Sequence, residues 1–398
     1  MHHRKRHIEQ VLLKRSKIFP VLGVLGPRQV GKSTFLMKEW AQENQATYLT
    51  FDKQEVILRA RNAPEQFLLH ETHEQTQPVI LDEAQKVPQI FDSIKALVDE
   101  KRRLGMFTLS GSVEFSAKSG VRESLAGRLG NTRLYPLTLR EINEESFSDP
   151  WVTFNFNANN PISPRNIEKS LERGGMPIFC HLSDADERTN MIQSWLETIF
   201  YRDLHQFKDG PYNSELAMGL FEVIAHSPAL TLNKIALRLG ASHATLNKHL
   251  SALEALFLLY ELPSFENPRA HSKYHIFDPA VFNVVLGGSP SLSSRHNSLI
   301  SLTINEIYAQ YEYAGKTKPK LFHYRSKGGA EIDLILQTKD KLVGIECATT
   351  VDISPYLQRG MKSFLEKYPS AIGYFVAPVQ KGFSLGPNLH VIPWSCIG

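Results

Sequence analysis

Cysteine is almost missing from this chain. Cys180, Cys347 and Cys396 are three residues in 398, too few and too scattered for a disulfide framework or a CxxC metal site, so reduced thiols are expected. Long apolar runs are missing too: nothing approaches the roughly 18 uninterrupted apolar residues of a membrane span. The N-terminus MHHRKRHIEQVLLKRS is basic but lacks the apolar centre of a signal peptide, which makes a cytoplasmic location with no membrane partner the expectation. Its HHRKRH tip reads as a solvated tail. Nor is there a strong charge imbalance. Forty-five Lys and Arg against 41 Asp and Glu leave +4, which permits nucleic-acid contact without demanding it. Internal repeats and low-complexity tracts are absent, which excludes solenoid and fibrous architectures. What remains is a globular composition, 42% hydrophobic, in a chain long enough for two or three domains.

Residues 1–145 alternate strand-like runs (VLGVLG, ATYLTFD, PVILDE, MFTLSGS) with helical stretches, the pattern of a doubly wound parallel sheet. From Ser146 to Pro164 the chain is rich in Asn, Ser and Pro and reads as a linker, followed by a helical region to about residue 230. Residues 231–286 have the outline of a helix-turn-helix, with LYELPSFEN and KYHIFD as strands of a wing. Gly287 to Ser298 reads as a flexible connection. After it, residues 299–398 form a small α/β unit with strands at LFHYR, EIDLILQ, KLVGIECAT and, last, AIGYFVAPV.

The chemistry concentrates in Gly26-Pro27-Arg28-Gln29-Val30-Gly31-Lys32-Ser33, followed by Thr34. GxxxxGK[ST] between a strand and a helix builds a phosphate cradle from backbone N–H groups and the helix N-terminus. ATP or GTP is the implied ligand. Lys32 is placed to meet the β- and γ-phosphates and Ser33 to offer its hydroxyl to Mg²⁺. Hydrolysis further needs an acidic metal partner and a group that orients water, and PVILDE supplies both: Asp82 emerges at the strand end for the metal, and Glu83 follows to polarise water. The competing reading is an acidic helix cap. The strand through Leu109 ends at Ser110, a candidate sensor of the γ-phosphate and equally a turn former. Arg128 and Arg133 are candidates for an arginine finger, which is often supplied by a neighbouring subunit and so implies a homo-oligomer; surface arginines are the plain alternative.

Taken together, GPRQVGKST, VILDEAQKVPQI, LSGS and LAGRLGNTRLYPLTLREI resemble bacterial and archaeal AAA+ ATPases that carry a C-terminal domain of unknown function. Later stretches extend the resemblance over nearly the whole chain: GGMP at 174–177, YRDL at 201–204, KYHIFDPAV at 273–281, Asn305-Glu306 and HYRSKGGAEIDLIL. The resemblance implies a P-loop AAA+ core, a winged-helix region and a C-terminal domain similar to restriction-endonuclease-like nucleases.

Two further sites can be weighed. In the second helix of the helix-turn-helix, Ala244, Leu246, Leu250, Leu253 and Leu256 make the apolar stripe, leaving Asn247, Lys248 and His249 as candidate contacts to duplex DNA. Only Lys248 among these carries a full charge, so a packing role stands beside the DNA role. In the C-terminal unit Asp333 and Glu346 lie on successive strands and can reach one Mg²⁺. A nuclease of the kind resembled would place lysine two residues after Glu346, where Ala348 stands, and neither Lys327 nor Lys341 has a pattern that argues for a substitute. The expectation is an Mg²⁺-dependent ATPase driving conformational change in a winged-helix and an inactive nuclease-like domain. An ATP-switched DNA-binding protein and an ATP-dependent nuclease are the alternatives.

Overall fold

The apolar runs of the N-terminal third become parallel strands, and their lengths decide where the polar residues between them emerge. The computed structural model describes residues 3–72, 77–114, 125–149, 151, 162–207, 210–267, 270–287, 292–326 and 328–398. The chain divides into two compact units: residues 1–135 with 255–257 and 312–315, and the remainder.

In the first unit β1 (Val21–Leu25), β2 (Thr47–Thr50), β3 (Val79–Asp82), β4 (Phe107–Gly111) and β5 (Leu129–Arg133) form one parallel sheet in the order β2-β3-β4-β1-β5. Every residue of β1, β3 and β4 is buried, as expected of parallel strands covered on both faces. Val56, Ala60, Phe67, Leu68, Ile90, Ile94 and Leu97 of the flanking helices pack with Val21, Leu25, Val79, Leu81, Phe107 and Leu109. Each fully buried aliphatic side chain of this kind contributes roughly 1.5–3 kcal/mol. Because β4 pairs with both β1 and β3, the carboxyl ends of these three strands lie side by side. That is where open α/β sheets bind ligands.

The second unit combines helices with two sheets. Helices Leu232–Leu239 and His243–Ala255 are separated by a short turn at Gly240, and β6 (Leu259–Leu262) pairs antiparallel with β7 (Lys273–Ile276). The six-stranded sheet is mixed, in the order β12-β13-β11-β10-β9-β8. It contains β8 (Lys320–Arg325), β9 (Glu331–Gln337), β10 (Leu342–Cys347), β11 (Ile372–Ala377), β12 (Phe383–Gly386) and β13 (Leu389–Pro393). AIGYFVAPV is therefore not the last strand. The connection expected over Gly287–Ser298 is shorter than its composition implies, since a helix starts at Leu292; residues 288–291 lie outside the described residues. Most of the expected linker, residues 150 and 152–161, also lies outside them, but Trp151 is buried and donates its indole N–H to Ile397 O at 3.2 Å.

Two buried carboxyls hold this unit together. Asp278 caps helix Pro279–Val285 through Ala280 N–H (2.9 Å) and Val281 N–H (3.2 Å), and also accepts Gly175 N–H (2.8 Å) and Met176 N–H (3.2 Å). GGMP and KYHIFDPAV thus become one joint. Glu306 accepts Leu139 N–H at 2.7 Å and the Gln310 amide at 3.1 Å, and burial pushes its carboxyl up to about 8. Among the described residues no helix is long and apolar enough to cross a membrane.

Candidate nucleotide site

The loop from Gly26 to Lys32 follows β1 directly. A Cβ on Gly26 would stand 2.3 Å from Leu134 O, so only glycine allows this approach of loop to strand. Gly31 has φ 100°, the left-handed region that glycine alone enters without cost, and the helix Lys32–Phe35 begins immediately after it. That helix continues through a π-helical turn, Leu36–Trp40, to Glu43. Pro27 and Val30 are buried, Arg28 and Ser33 half-buried, and Gln29 and Thr34 exposed. Lys32 is buried, with Nζ donating to the carbonyls of Gly26 (2.9 Å) and Pro27 (2.8 Å), which holds its ammonium within the turn of the loop.

Arg6 braces the same loop from behind. It donates to Val30 O (2.9 Å) and Tyr135 O (2.6 Å), and its main-chain N–H meets Glu39, whose carboxyl burial pushes up to about 7. The basic tip is thus not wholly a solvated tail: Arg6 is 4% exposed and built into the site.

Across the sheet, Asp82 ends β3 at 1% exposure. One carboxylate oxygen accepts the Tyr48 hydroxyl at 2.6 Å and the other accepts the Ser110 hydroxyl. Ser110 lies on β4 between the two motifs, fully buried, with its hydroxyl committed to Asp82 and accepting Glu83 N–H at 3.0 Å. It braces the acidic residue rather than facing outward as a phosphate sensor. Glu83 is held at φ 58°, an uncommon conformation for a residue with a side chain. It precedes a 3₁₀ turn, but its side chain makes no capping bond and instead accepts the Gln85 amide.

Tyr48 was not legible as a site residue. It lies on β2, which pairs with β3. Burial and then the Asp82 carboxylate push the phenol well above its ordinary range, so it remains a donor. Ser33 opens the helix after the loop that follows β1 and Asp82 ends β3, both at the carboxyl edge of one sheet. Their hydroxyl and carboxylate oxygens are the hard donors that Mg²⁺ takes, so the residues present fit that ion.

Arg128 is elsewhere. Its carbonyl accepts the N–H of Val21, the first residue of β1, so it sits at the opposite end of the sheet from the loop. Its guanidinium is paired with Asp99 at 2.5 and 2.8 Å. It does not join this chain's site, because a five-residue strand sets it about 15 Å away. Arg133, opposite Leu25 in register, lies 4.7 Å from both the Tyr135 and Phe257 rings.

The second unit corrects the DNA-contact set. His249 is 2% exposed; its Nε2 accepts Asn213 N–H at 3.2 Å and its Nδ1–H donates to Thr245 O at 2.8 Å. It turns inward because those two main-chain groups need partners. Lys248 donates to Pro211 O at 3.1 Å and lies 4.3 Å over the Tyr212 ring. Asn247 is exposed, and so is Ala244, which leaves the apolar stripe to the leucines. In the C-terminal sheet, Asp333 accepts from His296 Nε2 (2.9 Å) and Cys347 N–H (2.8 Å), while its own N–H donates to Glu346 at 3.2 Å. Burial and then Asp333 hold Glu346 well above the usual carboxylate range. Lys341 is exposed, and Lys327 lies outside the described residues. Among the described residues no group of three or more His, Cys, Asp or Glu could hold a metal ion.

Residues 19–143 match the family described as AAA domain. Residues 164–292 and 301–397 match two domains of unknown function, DUF8612 and DUF4143. Uncharacterised proteins of Mycobacterium tuberculosis and Mycobacterium bovis are each 24% identical over 383 residues, covering 94% of this chain and 80% of theirs. AMPPCP-bound DnaA from Aquifex aeolicus is 14% identical and covers 62% of this chain and 85% of its own, at a TM-score of 0.27. A signal transduction ATPase with numerous domains from Pyrococcus horikoshii is 12% identical and covers 78% and 47%, also at 0.27. Scores this low do not establish a shared arrangement. The site built by the Gly26–Lys32 loop, Tyr48, Asp82 and Ser110 lies wholly within the segment that matches the AAA domain, and the parallel five-stranded sheet beneath it is of the P-loop AAA+ kind.

Proposed function

We propose that this chain binds ATP with Mg²⁺ in the Gly26–Thr34 loop and hydrolyses it. The observation that carries this reading is that the phosphate loop with Lys32 and Ser33, and Asp82 held by Tyr48 and Ser110, stand at the carboxyl ends of strands of one parallel sheet. Ser33 and Asp82 would hold Mg²⁺, which when bound would supply neutralisation of the charge developing on the phosphates. Lys32 leaves the loop carbonyls for the phosphates, and the backbone of residues 26–34 cradles them. Glu83, fixed at the strand end by Ser110 and Gln85, accepts a proton from the attacking water as it adds in line to the γ-phosphorus and ADP leaves.

The two competing readings draw less support. Of three candidate DNA contacts, one is buried and one is engaged with Tyr212. Cutting of DNA would need a cation beside Glu346 where Ala348 stands. An oligomer with Arg128 as its finger would require the Asp99 pair to open.

The test is turnover and nucleotide affinity in Lys32→Ala and Glu83→Gln. Both are expected to lose ATPase activity, by about 10²–10⁴-fold for the loss of a positioned base. Glu83→Gln keeps the nucleotide bound. Unchanged rates in both variants would overturn the reading.

A further inference from the structure

Arg6 comes before β1 in the chain, yet it reaches the phosphate loop at one point. It is 4% exposed, and Nη1 donates at 2.9 Å to the carbonyl of Val30, the residue before Gly31. Two further bonds anchor it. Nη2 donates to Tyr135 O at 2.6 Å, just past the end of β5, and the main-chain N–H donates at 3.2 Å to Glu39, on the helical turns that follow the loop. A guanidinium held in this way is a fixed fork, and its charge strengthens each bond it donates.

What the fork holds is a peptide group. The Val30–Gly31 peptide is trans and planar, so its C=O and its N–H point to opposite sides. The carbonyl is taken by a buried cation, and the N–H is thereby turned to the other side of the loop. Among the described residues the Gly31 N–H donates to no protein group. This peptide is also the one the loop would most easily lose. Turning it over carries φ of Gly31 from 100° into the negative region, and glycine occupies both. An overturned peptide would present a carbonyl where a phosphate needs a donor. We propose that Arg6 is a positioning residue of the nucleotide site, pinning the Val30 carbonyl on the buried side and so presetting the Gly31 N–H as a donor to a phosphate oxygen. This role rests on the nucleotide-binding reading of the loop and deepens it. Lys32 holds the carbonyls of Gly26 and Pro27 but must leave them for the phosphates, whereas Arg6 stays in place. Its charge on the carbonyl also polarises the peptide, which makes the N–H a stronger donor.

The experiment compares the full chain with Arg6→Met, which keeps an apolar stem, and Arg6→Lys, which keeps the charge but not the fork. ADP affinity is measured by calorimetry in EDTA and with Mg²⁺. Labelling valine with ¹³C at the carbonyl and glycine with ¹⁵N isolates the Val-Gly pairs of the sequence, Val30-Gly31 and Val343-Gly344, so the Gly31 amide is read with Gly344 as its reference. In the unmodified chain ADP should move the Gly31 proton downfield. Arg6→Met is expected to lose most of that shift and to raise the ADP dissociation constant about ten- to a hundredfold, the worth of a hydrogen bond from a charged group. The loss should be the same with and without Mg²⁺, and Arg6→Lys should fall between. Unchanged ADP affinity with an unchanged Gly31 shift overturns the proposal. So does weaker binding with the shift intact, which would give Arg6 a role in the fold alone. Arg6→Lys carries the same test if Arg6→Met melts below the working temperature. If the unmodified chain binds neither ADP nor ATP, the nucleotide reading itself fails, a result distinct from either.

Discussion

Asp82 and Asp333 are both strand aspartates with a neighbouring glutamate in reach, yet the two units surround them differently. Asp82 is met by two hydroxyls, Tyr48 and Ser110. Asp333 is met by an imidazole and a main-chain N–H. Hydroxyls rotate, and each has lone pairs as well as a proton, so a carboxylate held by them can still turn oxygen toward an arriving cation. A main-chain N–H is a fixed donor, and His296 supplies its own positive charge. Burial raises Asp333 most, but His296 with the Cys347 N–H and Lys273 together hold the carboxyl below the ordinary range. The first environment suits a site and the second suits a joint. Asp278, with four main-chain N–H donors, is the extreme of the second kind.

Exchanging the two aspartates for alanine is the most forceful way to break this comparison. Asp82→Ala is expected to lower ATPase turnover by about 10³-fold through loss of a metal partner, while Asp333→Ala leaves turnover unchanged. Steady-state hydrolysis of both variants decides it. Plasmid cleavage with Mg²⁺ or Mn²⁺ that vanishes in Asp333→Ala would show the joint to be a site after all. The next effect is on stability. Glu306 has its carboxyl lifted to about 8 in the folded chain from 4.5. A raised acid binds its proton more tightly when folded, so its stabilisation is complete below pH 4.5 and lost as pH rises toward 8. The loss is on the order of 5 kcal/mol at most, at about 1.4 kcal/mol per unit. Urea unfolding at pH 5 and pH 8 should show it, and Glu306→Gln, which keeps a neutral donor and acceptor, should flatten it. Smaller again is Gly174→Ala. Its φ of 65° and a Cβ 2.1 Å from an Asp278 oxygen predict a loss of roughly 2–3 kcal/mol, read as a lower urea midpoint without loss of nucleotide binding.

Legibility in the sequence followed contiguity. The phosphate loop and the Asp82-Glu83 pair are read within one segment each, because a strand, its turn and the next residues share a local cause. Tyr48 and Ser110 act on Asp82 from strands on either side of β3, and nothing local states the order β2-β3-β4-β1-β5. The position of Arg128 was hidden for the same reason: its motif lies late in the segment, but β5 runs parallel to β1, so the residue before it falls at the far end. In the second unit, β12 escaped notice because its four residues stand at an exposed sheet edge, where no apolar alternation is required. His249 looked like a groove-facing polar residue because its two partners, Asn213 and Thr245, are main-chain groups that a side-chain pattern cannot reveal.

His296→Ala is the finest probe of the contrast. His296 has a pKa raised by Asp333, so its contribution is present below pH 6.5 and lost as pH rises through the folded value. Asp333 is depressed, so its share is present above pH 3.8 and lost as pH falls. The pair therefore stabilises most between these limits. A hydrogen bond between charged groups is worth about 1.5–3 kcal/mol when dry. With the imidazole 36% exposed, solvent screening brings this to about 1 kcal/mol. Urea unfolding of His296→Ala at pH 5.5 should show that loss, and the difference from the unmodified chain should shrink at pH 9. ATPase activity should not move. A fall in turnover with unchanged stability would mean that the imidazole reports to the nucleotide site, and the division between joint and site would no longer hold.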